Sequence, residues 1–212
     1  MPSDKSATTP LSHPLVVRLT HWINAVAMVC MAMSGMGIYN AHPIVAFRFP
    51  EAVILGGWLG GSTIWHFAVM WLFVGNGLFY VLAGIADGYL RHRMFPIRAV
   101  EIVRDMRLAL AFHLPHDSVK YNAVQKTLYV LVLLLGALMV ASGLAIWKPV
   151  QFSSLTWLLG GFEFARVVHF VGMISIFGFL VIHFAMVALV PRTLISMTLG
   201  SRLLRSKKSS HE

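Results

Sequence analysis

Charged side chains are scarce in this chain, acidic ones above all: Asp and Glu together number 8 in 212 residues, and charged residues make up only 12%. Soluble domains carry roughly 25%. A composition this poor in charge excludes an ordinary water-soluble protein. Cysteine occurs once, as Cys30, so an intrachain disulfide, a CxxCH attachment of covalent haem and a cysteine-held iron–sulfur cluster are all excluded. Any redox group has to be held by other side chains. No GxSxG, HExxH or GxxxxGK[ST] string is present, which removes the usual sequence grounds for hydrolysis or nucleotide binding. Connections between the apolar stretches are too short to carry a second core, so residues 1–212 are expected to form one domain with no soluble catalytic part. Met1 to Leu11 is polar and lacks the apolar core of a signal peptide; no cleaved leader is expected there, and the first hydrophobic span stays in the protein.

What is present is hydrophobic length. Apolar residues make up 58% of the chain, and runs of about 20, enough to cross about 30 Å of hydrocarbon, fall at 18–40, 61–87, 124–147 and 164–190. The expected fold is all-α, an integral membrane four-helix bundle. Tyr39, Trp58, Trp65, Tyr89, Tyr121, Trp147 and Trp157 lie near the span ends, where interfacial aromatic residues concentrate.

The formal charge of +9 suggests nucleic acid only in a soluble protein. Here the basic residues follow topology. Of the 17 Lys and Arg, 14 lie in the N-terminal segment, the loop between spans two and three, and the tail; only Arg48, Lys148 and Arg166 fall on the other side. Loops facing the cytoplasm are enriched in these residues, so both termini are expected to be cytoplasmic, in a bacterial inner membrane. Two connections are long enough to hold short interfacial helices. The outer one, 42–60, is apolar and Gly-rich around Phe49-Pro50-Glu51; the inner one, 96–113, mixes Arg and Glu with apolar residues at helical spacing. The segment after Pro191 is similar and shorter, and these surfaces are where a partner would dock.

Four of the 10 histidines lie within spans: His21, His66, His169 and His183. An ionisable group in hydrocarbon is costly unless it is paired or ligated, so each is a functional candidate. The bland alternative is a neutral histidine bonded to a neighbouring helix. His169 and His183 are 14 residues apart, which returns to within about 40° of the same face and separates them by roughly 21 Å along the axis. They share a face but cannot share a ligand. Depth then pairs His21 with His183 near the inner side and His66 with His169 near the outer side. Each pair is suited to supply two axial imidazoles to one haem b.

Arg18 and Arg166 each precede a histidine by three residues, where a guanidinium can meet a haem propionate, or simply mark the interface. Gly35, 14 residues after His21, and Gly143 offer a helix surface with no side chain beside a macrocycle, although glycine also serves close helix packing. The remaining histidines, including His113 and His116 in HLPHD, are read as solvated loop residues.

The string RLTHWINAVAMVCMAMSG, the histidine of TIWHF and the pair ARVVHF and FLVIHFAMV resemble the bacterial cytochrome b561 and nickel-hydrogenase cytochrome b family over nearly the whole chain. That family is similar to formate dehydrogenase gamma and thiosulfate reductase cytochrome b subunits. The resemblance implies two haems b exchanging electrons between a redox partner and the quinone pool. It also implies a quinone pocket: YNAVQK is similar to the YNAGQK of formate dehydrogenase gamma subunits, which makes Asn122 and Gln125 candidates to hydrogen-bond a quinone or quinol, with Val124 where glycine often stands. Asn122 can equally be a helix N-cap.

The expected function is therefore a di-haem b electron-transfer subunit serving a periplasmic oxidoreductase, such as a molybdenum enzyme, with no nucleic-acid partner. Two alternatives stay open: a stand-alone superoxide:quinone oxidoreductase, and a haem-free membrane anchor that recruits a partner through the basic inner segments.

Overall fold

The computed structural model describes residues 15–88, 90, 96–110, 123–189, 194, 197 and 198. Regular structure among them is helical: α1 Leu15–Ala41, α2 Leu59–Ala86, α3 Ala99–Leu110, α4 Ala123–Trp147, α5 Ser153–Leu158 and α6 Phe162–Leu189, with a single 3-10 turn at Glu51–Val53. Four of these helices, α1, α2, α4 and α6, are long and apolar enough to cross a membrane. The chain is a multi-pass membrane protein.

Helix ends follow backbone chemistry. α1 stops just before His42-Pro43 and α4 just before Lys148-Pro149, because proline disfavours helical backbone in the residue ahead of it. Gly160 and Gly161, at φ of 81° and 94°, precede α6, a left-handed conformation that only glycine adopts without strain.

The described residues form two compact units. One comprises 19–83 and 134–178. In it, α1 meets α2 through Asn76 Nδ2, which donates to the Thr20 carbonyl at 2.8 Å; α2 meets α4 through Phe67 and Trp147, rings 5.1 Å apart; and Tyr39 of α1 stacks on Phe170 of α6 at 4.7 Å. Its innermost residues are small: Ala27, Ser34, Ser62, Ser142, Ala145 and Ala165 are fully buried. Large apolar side chains such as Val26, Trp71 and Leu134 are more than half exposed. That inversion suits a protein solvated by lipid, where small residues let helices approach and large ones face the acyl chains.

In the connection 42–60 the short helix expected there is reduced to the 3-10 turn Glu51–Val53, and Leu59 and Gly60 already belong to α2. Pro50 precedes the turn, and Gly56 and Gly57, at φ of 100° and 71°, follow it. Asn40 replaces helical bonding there, donating to the Phe49 carbonyl and accepting from the Phe49 N–H, both at 2.8 Å.

The other unit comprises the described residues of 1–18, 84–133 and 179–212. The amphipathic helix expected over 96–113 is α3, Ala99–Leu110. Val100, Val103 and Met106 are exposed on it, whereas Asp105 is only 6% exposed. The basic tail after Pro191, where a similar helix is expected, lies almost entirely outside the described residues.

Candidate functional site

Within the first unit, α2 and α6 bring His66 and His169 together, their ring centroids 6.4 Å apart and the planes inclined at 67°. An imidazole nitrogen binds a first-row metal at about 2 Å, so two rings on opposite sides of one ion have centroids about 6 Å apart. The observed separation matches that spacing. Each ring is tied to a serine on another helix. Ser34 Oγ of α1 lies 3.0 Å from His66 Nδ1, and Ser142 Oγ of α4 lies 2.9 Å from His169 Nδ1. Beside each serine is a glycine. A Cβ added at Gly35 would stand 3.5 Å from His66 Cε1, and one at Gly143 would stand 3.4 Å from His169 Cε1.

The serines are the part of this cluster that sequence reading missed. The available signal was the dipeptide Ser-Gly, present in both α1 and α4 at Ser34-Gly35 and Ser142-Gly143.

The other histidine pair is divided between the units. His21 belongs to the first, where its ring meets Trp22 edge-on at 5.5 Å. Asn24, one turn further along α1, has a buried Oδ1 with no hydrogen-bond partner among the described residues. His183 belongs to the second unit, stacked on Phe179 at 5.8 Å and flanked by Phe184 at 6.1 Å.

The two arginines are engaged with protein groups. Arg166 pairs with Glu163 at 2.7 Å and donates to the His42 carbonyl at 2.6 Å. Arg18 donates through Nε to the Met197 carbonyl at 3.1 Å and through a terminal nitrogen to the Thr198 carbonyl. Each guanidinium is thus held in place by backbone before any further partner is considered.

Of the two candidate quinone contacts, Gln125 lies in the first turn of α4, half-buried, and Asn122 lies outside the described residues. A third missed residue sits at this helix start. Asp105 Oδ2 accepts from the Ala123 N–H at 2.9 Å, and Arg104 pairs with Oδ1 at 3.0 Å. The Ala123 N–H, followed by Arg104, holds the Asp105 carboxyl below its ordinary range, against an opposing push from burial. Asp105 shares one helix row with Ile102 and Leu108. An acid in an apolar row was the available signal.

Four long apolar helices, with two imidazoles facing each other inside them, define a multi-pass membrane protein with a paired-histidine site. The chain belongs to the prokaryotic cytochrome b561 family, whose pattern matches residues 12–200. It is also similar to a protein of Azospira oryzae provisionally named protein-methionine-sulfoxide reductase subunit YedZ1, with 49% identity over 189 residues, covering 89% of this chain and 96% of the relative.

Membership of that family implies haem, and the donor set fits it. Among the described residues no three His, Cys, Asp or Glu side chains cluster to hold a bare metal ion. Two facing imidazoles are a donor set suited to a haem iron, whose remaining ligands come from the macrocycle.

Proposed function

We propose that this chain is a di-haem b electron-transfer subunit of a membrane oxidoreductase, linking a redox partner outside the membrane to the quinone pool. The observation that carries the reading is the facing pair His66 and His169, 6.4 Å apart, with each Nδ1 anchored by a serine. Haem b held between two imidazoles supplies one-electron transfer with no open iron position.

The chain's own residues divide the remaining work. His66 and His169 hold one haem and His21 and His183 the other, while Gly35 and Gly143 leave room beside the first pair. The unsatisfied Asn24 Oδ1 next to His21 supports a bound group there as well. Arg18 and Arg166, anchored on carbonyls, neutralise propionates with their remaining N–H groups. Asn122 and Gln125 hydrogen-bond the quinone. Both termini face the cytoplasm, on the strength of the Lys and Arg distribution, and residues 1–212 act as one bundle.

The partner is read from the relative's name: an enzyme that reduces methionine sulfoxide in proteins. That reduction consumes two electrons and two protons and has no electron source of its own, which fits a membrane subunit drawing on quinol. A periplasmic molybdenum oxidoreductase is the partner class that agrees with the proposed topology.

The test is reduced-minus-oxidised absorption and pyridine haemochrome of the purified protein. About two haems b per chain are expected. Well-folded protein containing none overturns the redox reading and leaves a haem-free anchor.

A further inference from the structure

We infer that Ser34 and Ser142 are positioning residues that fix the tautomer and rotation of His66 and His169, so that both rings present a bare Nε2 to the space between them. The inference rests on the reading of these two histidines as ligands and adds residues outside that set.

The number of protons at each serine assigns donor and acceptor. Ser34 Oγ lies 2.7 Å from the Cys30 carbonyl and 3.1 Å from the Met31 carbonyl of its own helix, as well as 3.0 Å from His66 Nδ1. A serine hydroxyl has one proton to give, and carbonyl oxygens only accept. The proton therefore goes to the helix backbone, and toward the ring Oγ acts as an acceptor. His66 Nδ1 must then carry the N–H. In a neutral imidazole the other nitrogen is left with a lone pair, so Nε2 is the free ligand atom.

The same count holds at the second ring. Ser142 Oγ lies 2.7 Å from the Leu138 carbonyl, 3.3 Å from the Met139 carbonyl and 2.9 Å from His169 Nδ1. Both serines are fully buried, so water does not compete for these bonds. The adjacent glycines complete the arrangement. Cε1, the carbon between the two ring nitrogens, faces Gly35 in one ring and Gly143 in the other; serine holds one side of the ring while glycine leaves clearance for the next atom.

An N–H donated to an acceptor raises the basicity of the imidazole, and loss of such an outer partner typically costs about 10- to 100-fold in affinity for the bound metal. A more basic ligand favours the ferric state, so removing the acceptor raises the midpoint potential.

The experiment uses the full-length, haem-loaded protein with S34A, S142A, S34T and S142T, reading haem content, potentiometric titration and the low-spin ferric EPR spectrum. S34A and S142A are each expected to raise the potential and shift the EPR signal of the same single haem, the one lost in H66A, with about 10-fold weaker retention. The other haem stays at its native potential, and the threonine variants, which keep the hydroxyl, restore the native signals.

Native potentials and EPR in both alanine variants overturn the inference, as does threonine behaving like alanine. Where an alanine variant loses its haem altogether, threonine decides: retention at native potential supports the role, and loss overturns it. The ligand reading is tested separately by H66A and H169A, since full haem retention in those variants refutes it whatever the serines do.

Discussion

In the unit of residues 19–83 and 134–178, the polar bonds that tie one helix to another run between uncharged groups: Ser34 to His66, Ser142 to His169, and Asn76 to the Thr20 carbonyl. In the other unit the corresponding contacts set charged side chains on backbone groups. Asp105 holds the first N–H of α4, Lys126 reaches the Pro96 carbonyl, and Arg18 holds the carbonyls of Met197 and Thr198. The described ion pair of the first unit, Arg166 with Glu163, stands at the start of α6 and not along its length. Charge in hydrocarbon is costly, whereas a free helix end needs a partner and favours an opposite charge. A membrane helix therefore calls for neutral hydrogen bonds along its length and charged ones at its ends.

The largest effect is expected from removing a neutral polar group inside the first unit. H66A or H169A is expected to abolish one of the two haems while leaving the other, and H21A or H183A to do the reverse, as measured by pyridine haemochrome. Loss of both haems from every variant would show that the pairs do not act separately.

Next in size is a packing change. Gly37 faces Ser62 and Ile54, and an added Cβ would come within 2.1 Å of Ser62 Oγ, a hydroxyl already committed to the Leu55 carbonyl at 2.9 Å. G37A is expected to destabilise the protein by about 1–3 kcal/mol, seen as a lower midpoint for thermal loss of the haem spectrum. An unchanged midpoint would mean that α1 can move away from α2 without penalty.

A smaller effect, about 0.3–1 kcal/mol, is expected from D105N, because the amide oxygen can still accept the Ala123 N–H but the negative charge at the start of α4 is lost. Its pH dependence has a definite sign. The folded carboxyl titrates below its ordinary range, so its contribution is complete above about pH 4 and disappears as the pH falls through the lowered value. The stability gap between wild type and D105N, followed by urea unfolding in detergent, should close on acidification. A gap constant from pH 7 to pH 3 would assign the effect to shape and not to charge.

The smallest expected change is from G35A and G143A. Their new methyl groups would meet the histidine rings at ordinary contact distance, so stability should fall by about 1 kcal/mol or less, with haem content retained.

The four spans were legible because hydrophobic length alone specifies them: the expected 124–147 lies within one residue of α4 at each end. Backbone punctuation was harder to weigh: a short helix was expected in 42–60 from its apolar content, and Pro50, Gly56 and Gly57 confine it to the turn Glu51–Val53. The facing of His66 and His169 was legible from their matching depth along the helices, since few incidental reasons place imidazole in hydrocarbon. Ser34 and Ser142 were not, because a serine in a membrane helix satisfies itself on the preceding turn, as both of these also do. Nothing in a spacing rule distinguishes the serine that has a second partner. Asp105 was hidden differently, in a row of an amphipathic helix whose solvated acids look the same in sequence.

The Ser-Gly dipeptide has a consequence for mechanics. Each imidazole takes its acceptor not from its own helix but from the long helix before it, α1 serving α2 and α4 serving α6. The same device is thus repeated in two hairpins, each with its register read by a single hydroxyl. A one-residue change of register, about 1.5 Å of slide with about 100° of rotation, would bring Met33 or Gly35 to the place of Ser34, neither of which has a side-chain oxygen. The bond works as a vernier: it closes at one alignment of the two helices and opens at the neighbouring ones, so each hydroxyl marks the register of its own hairpin.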